Sequence, residues 1–395
     1  MALALGLLAV AAGAGAMVVQ DQISTRNRRR RQEQAEKRRA ELDAGRAATL
    51  SNEACHDHRY RGPVRLPRLQ NSIDIDTIPL GLPANVMSNI MMFMDVSTCF
   101  SLRSVNSSWN RFLCGLFRYK PYLKQVVWRG DFHNDQRFRY WIAVLDANDR
   151  LAQSAHLYCQ LVNVGEDPFD NDATVARIQR DIARTMPDVE IFRSGSKSES
   201  LFRLLSCYAL ADRQVGYCQG MNYVAAYLLT LEIETKAFAF FDILMQDYQL
   251  RWIFAPGLPH LRLCLYQLDR LLAMYLPTLH FHLSEEAVSG ELYASEWFIS
   301  LFTYSFAVCD VGRIWDLFLI FGWKSLVKVA LAILGRAEPQ LLHMRFEMII
   351  QAVKHRPSTL LCGDVDEILS RASQFKITNS LLKALEDQYW LEIPA

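Results

Sequence analysis

The sequence predicts an all-α protein. Apolar residues recur at helical spacing in segment after segment beyond residue 78, no apolar/polar alternation marks a strand, and no internal repeat is evident. The chain is 51% hydrophobic and 22% charged, the balance of a globular protein with a large core. Its 395 residues suit two or three domains. A net charge of +1 provides no bulk field toward nucleic acid, so no nucleic-acid partner is expected. The nine cysteines are scattered and form no CxxC pair, which argues against a disulfide framework and for a reducing compartment.

Residues 1–20 are an apolar leader: positions 2–19 carry no charge, and ten of the eighteen are Ala or Gly. About 20 apolar residues span a bilayer, so the segment is marginal. Arg26, Arg28, Arg29, Arg30 and Arg31 follow it, and a basic flank on this side favours a cytosolic carboxyl end. Two readings stand together: a membrane anchor through residues 2–19, or an Ala/Gly leader without that role. Either places the protein in the cytoplasm, the first on the cytosolic face of an endomembrane. Residues 21–77 form a charged and polar linker. Within it Cys55-His56-Asp57-His58 is the one dense group of ligand types, but a second set at zinc-finger spacing is missing, so no metal site is expected.

A small helical module is expected over 78–125. After Leu82-Pro83, Val86, Ile90 and Phe93 recur at helical spacing, and Asp95 breaks the run. Ser97 or Thr98 is placed to cap the next helix, which carries Phe100, Leu102, Val105 and Trp109. These residues resemble an F-box, a helical module that docks the adaptor of cullin-type ubiquitin ligases. The resemblance implies a possible adaptor partner at residues 82–112; the alternative is a helical hairpin packed on the next domain.

The main domain is expected over 126–345. Asn148 to Val162 reads as a helix. Asp172 is a candidate N-cap for the next one, whose apolar face is Val175, Ile178 and Ile182. Arg177, Asp181 and Arg184 fall on the opposite side. Pro187 disfavours helix at Met186, so Arg184 projects from a helix end with Asp181 three residues behind it. On pattern alone Arg184 is a solvated cation stabilised by the helix dipole. Ser196 to Glu199 has the capping-box pattern, and Leu201, Leu204, Leu205 and Tyr208 form a core stripe. The chain then turns through Gly216. In an extended stretch Tyr217 and Gln219 share a side, and Gly216 and Gly220 permit a partner's backbone to come close. Val224 to Leu231 is a buried helix. Pro339 is expected to start a turn, with a helix over 340–355 and a C-terminal tail over 346–395 that packs back on the domain.

Ile178-x-x-Asp181-x-x-Arg184 and Tyr217-x-Gln219 together resemble the two signatures of the TBC domain, the activating domain that acts on Rab-type small GTPases. Trp128-Arg129-Gly130, Arg137 to Trp141, Trp297-Phe298-Ile299 and Arg313-Ile314-Trp315-Asp316 resemble its flanking sequence. Asp131-Phe132 after Gly130 departs from the family's usual Ile-Pro. The resemblance implies a two-lobed helical domain that activates a Rab GTPase in vesicle traffic. It implies two catalytic fingers supplied in trans, Arg184 on the phosphates and Gln219 orienting the attacking water. Asp181 would orient Arg184, and Tyr217 would brace the glutamine loop or touch the partner. No GxxxxGK[ST] loop occurs, so the chain has no cofactor of its own: GTP and Mg²⁺ come with the GTPase. It is then an activator rather than a hydrolase. The competing reading is a ligase adaptor or Rab-binding scaffold that captures without activating.

Overall fold

The computed structural model describes residues 81–130, 132, 134–163, 172–354 and 364–392. The leader at 2–19, the arginines at 26–31, the linker to residue 77 and the Cys55–His58 group lie outside the described residues. The chain divides into two compact units, residues 1–57 with 160–170, and residues 58–159 with 171–395. The first lies almost wholly outside the described residues. The second is helical, and no strand forms among the described residues.

Four helices come first: α1 (Ala84–Phe93), α2 (Val96–Leu102), α3 (Ser107–Leu116) and α4 (Lys120–Arg129). The face expected to be buried on α1 is the exposed one. Val86, Ile90 and Phe93 face outward, Phe93 at 88%, while Met87 and Met91 are buried. This helix is apolar on more than one side, and the flexible thioether chains fill the gap beneath it. Asp95, rather than Ser97 or Thr98, caps α2, accepting the Thr98 N–H at 2.8 Å. The module continues into the main domain: α4 runs through the expected junction at 125/126 as one helix. Phe100 meets Tyr140 edge-on at 4.3 Å. Gly130 ends α4 at φ 83°, where a Cβ would lie 2.2 Å from the Arg313 guanidinium carbon. Only glycine fits there.

The main body runs through α5 (Asn134–Leu145), α6 (Asn148–Val162), α7 (Asp172–Ile182), α8 (Glu190–Arg193), α9 (Ser198–Ala211), α10 (Met221–Leu231), α11 (Glu234–Asp247) and α12 (Arg251–Phe254). It continues through α13 (Pro259–Tyr275), α14 (Pro277–Glu285), α15 (Gly290–Tyr293), α16 (Ser295–Ile299), α17 (Val308–Phe321) and α18 (Trp323–Leu341). The C-terminal part is α19 (Phe346–Lys354), α20 (Val365–Gln374) and α21 (Asn379–Glu392). Helix α10 is apolar all round and buried along almost its whole length, as such a helix must be. The stripe Leu201, Leu204, Leu205 and Tyr208 of α9 is buried as expected.

Two widely separated sequence marks meet in the core. Arg137 Nε of α5 donates to both carboxylate oxygens of Asp316 in α17, at 3.1 and 3.2 Å, and Trp141 Nε1 donates to Oδ1 at 2.8 Å. Burial disfavours charge on Arg137, but the Asp316 carboxylate outweighs it and holds the guanidinium above its ordinary value. The Trp141 ring stacks on Trp315 at 5.7 Å. Gly312 lies so close that a Cβ would sit 2.4 Å from Arg137 Nη1.

Two local expectations fail. Ser196 does not cap α9: that helix starts at Ser198 without a side-chain cap, Ser196 Oγ donates to the Ile191 carbonyl, and Glu199 pairs with Arg203. Pro339 does not start a turn: α18 carries it in its last turn, without the bond that an N–H at this position would make to the Gly335 carbonyl. The tail packs back as expected, with two helices after residue 363: Gln267 Nε2 of α13 donates to the Leu382 carbonyl at 2.9 Å.

Candidate functional site

The site is built where the end of α7 meets the turn that enters α10. Regular helix stops at Ile182, and the chain leaves through a tight turn with Arg184 N–H on the Asp181 carbonyl and Thr185 N–H on the Ile182 carbonyl. Met186 then takes φ 46°, a left-handed conformation ahead of Pro187. Arg184 is thereby lifted off the helix, its side chain 53% exposed.

Asp181 is not on a solvated face. It is buried, and both carboxylate oxygens are engaged. Oδ1 accepts from Arg184 Nε at 3.1 Å and Nη2 at 2.8 Å; Oδ2 accepts from the Tyr217 hydroxyl at 2.6 Å. The hydrogen bonds to Asp181, opposed by slight burial, hold the Arg184 guanidinium above its ordinary value. Burial first, and then the bond to Asp181, push the Tyr217 hydroxyl well above the ordinary phenol range, so it stays a donor. Of the five N–H donors of a guanidinium, the bonds to Asp181 occupy two. The others make no hydrogen bond among the described residues.

The second half of the site is the turn itself. Tyr217 and Gln219 do not share a side, because the chain turns at Gln219–Gly220, where the Met221 N–H reaches back to the Cys218 carbonyl at 3.2 Å. Tyr217 points in and Gln219 is exposed, its amide making no hydrogen bond among the described residues. Gly220 has φ 106°, and a Cβ would meet Ile299 Cγ2 at 2.0 Å. Its need for glycine therefore comes from α16 of the same chain rather than from a partner's backbone.

Several positioning residues were not assigned a part from sequence. Thr185 Oγ1 donates to the Asp181 carbonyl at 2.7 Å and accepts from Asn222 Nδ2 at 2.8 Å; Asn222 Oδ1 in turn accepts the Gly220 N–H at 2.9 Å. This buried relay ties the arginine turn to the glutamine turn. Arg177 Nη2 donates to the Tyr217 carbonyl at 2.9 Å, and the Tyr223 hydroxyl to the Arg184 carbonyl at 3.3 Å. Arg177 was readable as a member of the polar face of α7. The Thr185–Asn222 bond has no sequence signal, since its partners are 37 residues apart.

A family model, the Rab-GTPase-TBC domain, matches residues 134–342, more than half of the chain. The chain belongs to the TBC family. It is 36% identical over 276 residues to the Ecotropic viral integration site 5 ortholog of Drosophila melanogaster, covering 69% of this chain and 33% of that protein. It is 33% identical to the Rab GTPase-activating protein eat-17 of Caenorhabditis elegans, covering 54% and 24%. With the GTPase-activating protein GYP5 of Saccharomyces cerevisiae it shares 38% identity, covering 51% and 23%. The chain thus spans about a quarter to a third of the length of these relatives. Among solved structures, the Ypt/Rab-GAP domain of Gyp1p aligns with TM-score 0.58 at 18% identity, over 75% of this chain and 99% of that one. The Chlamydomonas flagellar RabGAP TBC domain aligns at 0.57 and 22%, over 77% and 100%. Both share the TBC fold. The TBC match begins after the four-helix module of 84–129. Among the described residues no helix is long and apolar enough to cross a membrane, and no cluster of ligand side chains forms a metal site.

Proposed function

We propose that this TBC domain accelerates GTP hydrolysis by a Rab-family GTPase, with Arg184 and Gln219 supplied in trans. The observation that carries this reading is the pair of unspent polar groups on one braced edge. Arg184 is aimed by a buried acid yet keeps donors open, and Gln219 is presented on a turn locked to the same network. Phosphoryl transfer is governed by positioning and by stabilising charge on the γ-phosphate oxygens. A planar, permanently charged guanidinium suits the second task, and its preset orientation lowers the cost of engaging the phosphates. An amide accepts and donates at once, which lets Gln219 hold the attacking water in line while touching the partner. Asp181 and Tyr217 are positioning residues. GTP and Mg²⁺ arrive with the GTPase, and the chain by itself hydrolyses nothing.

The test is a hydrolysis assay of this chain against a panel of purified Rab proteins. At least one Rab should be accelerated by roughly 10³-fold or more, and none of the nucleotide should turn over without a Rab. Tight binding without acceleration of any Rab would leave capture as the function.

A second reading rests on the exposed Val86, Ile90 and Phe93 of α1. In it the module also recruits a ubiquitin-ligase adaptor through residues 82–112. A pull-down of the adaptor by the full chain, lost in Phe93→Asp, supports it; no complex removes it.

A further inference from the structure

The loop from Asp212 to Gly220 carries Gln219, whose amide makes no hydrogen bond among the described residues. The place of that amide is therefore set by the backbone of the loop. The relay through Asn222 holds the loop where it enters α10. Its other end is held by a buried arginine–aspartate pair outside that relay. Asp212 is the first residue past α9, and Arg251 opens α12, with side chains 7% and 9% exposed. Arg251 Nε donates to Asp212 Oδ2 at 3.1 Å and Nη2 to Oδ1 at 3.2 Å, a fork that fixes the carboxylate in direction as well as distance.

The pair closes a turn rather than joining two helices. Asp212 Oδ1 accepts the Val215 N–H at 3.4 Å, and the Asp212 carbonyl accepts the Gly216 N–H at 2.7 Å, with Gly216 at φ 63°. Oδ2 also accepts the Tyr208 hydroxyl at 3.2 Å. Arg251 Nη2 reaches Gln214 Oε1 at 3.4 Å, so one guanidinium spans the turn that leads to Tyr217. Helix α12 packs in turn on α16, whose Ile299 abuts Gly220. Both ends of the glutamine loop are thus seated on α12 and α16, whereas Arg184 takes its aim from Asp181 in its own turn. A buried ion pair is weak evidence for stability, because desolvation offsets much of its attraction. What this one fixes is the course of the chain toward Gln219.

We propose that Asp212 and Arg251 are positioning residues for the glutamine finger: the pair sets where Gln219 stands, and it acts on GTP hydrolysis through that residue alone. This role rests on the reading of Gln219 as a finger. It sets the pair apart from Arg137–Asp316, which is as deeply buried but joins one helix to another. Misplacing a reacting group by about 1 Å costs about 10²-fold, as much as Gln219 itself is expected to supply. Once the amide is gone, loosening its loop has nothing further to remove, so the two changes should not add.

Hydrolysis by a Rab that the parent accelerates is measured with the full chain carrying Arg251→Met, Gln219→Ala, or both. Arg251→Met should lower kcat about 10²-fold with little change in KM, and should lower it no further in the Gln219→Ala background. Arg251→Lys keeps the charge but not the fork; it should fall between, and it stands in if the methionine variant misfolds. Arg137→Lys, the matching change in the core pair, should leave kcat of the folded protein unchanged. Hydrogen exchange of the free chain needs no Rab: Arg251→Met should speed exchange over 212–220 and leave 181–185 as in the parent. Equal losses from Arg251→Met with and without Gln219, full kcat in both Arg251 variants, or exchange unchanged over 212–220 would overturn the proposal. A parent inactive on every Rab, or Gln219→Ala as active as the parent, would instead remove the finger reading. Exchange alone would then decide whether the pair holds the loop that carries Gln219.

Discussion

Two arginine–aspartate pairs divide the work of this molecule. Arg137–Asp316 joins α5 to α17 with side chains 2% and 0% exposed, bonded further by Trp141 and the Phe132 carbonyl and crowded by Gly312. Arg184–Asp181 joins residues three apart, with the acid sealed beneath Tyr217 and the arginine 53% exposed. The ion pair is the same in kind. In the first both partners are consumed by the fold; in the second only the acid is, and the guanidinium stays exposed. A buried pair is retained by the cost of breaking it, whereas an exposed one contributes little to stability. An exposed arginine held this tightly is better explained by aim than by stability.

The sharpest test of that contrast is Arg184→Ala. Acceleration of a responsive Rab should fall by roughly 10³-fold or more, with a loss of stability of about 1–3 kcal/mol, because Asp181 stays buried but keeps the Tyr217 hydroxyl. Arg184→Lys should recover little, since a point charge cannot replace the fork. Normal acceleration by the Ala variant in a single-turnover assay would end the role assigned to Arg184.

Arg137→Ala should do the reverse. Leaving Asp316 buried without its cation should cost about 3–5 kcal/mol, read as a lower urea midpoint. Any molecules that remain folded should activate as before. A companion variant, Arg137→Met with Asp316→Leu, should regain much of the loss, because the penalty lies in the orphaned charge rather than in the missing pair. A single variant as stable as the parent would show that the pair is not the lock described.

Gln219→Ala comes next, with a loss of about 10²-fold in hydrolysis and only partial loss of binding to a GTPase–transition-state-analogue complex, because the amide acts chiefly at the transition state. A Rab whose own catalytic glutamine is replaced should still respond to the parent chain. Complete silence of that Rab, beside normal acceleration of its wild type, would return Gln219 to a docking role and leave Arg184 alone.

The smallest expected effect is that of Tyr217→Phe. It deletes one hydrogen bond to Asp181 and should cost about 1 kcal/mol, with a modest fall in activation as Arg184 loses part of its brace. A fall as deep as that of Arg184→Ala would mean that the hydroxyl acts on the partner directly.

The sequence by itself determined the helical class, the core stripe of α9 and the buried α10, each written locally in periodicity. The family, too, was legible in short motifs, and the match over 134–342 agrees with it. Tertiary structure decided which side of a segment is buried and what holds the site still. Val86, Ile90 and Phe93 have the spacing of a core face, but the neighbours of α1 took Met87 and Met91 instead. Asp181 reads as a surface residue by helical phase, yet Tyr217, brought over from 36 residues away, covers it. Gly220 reads as an invitation to a partner, and it is Ile299 that requires it. Periodicity reports the angle of a side chain about its own helix axis. Burial and hydrogen bonding depend on what other elements place opposite it, and that information is spread over the whole chain.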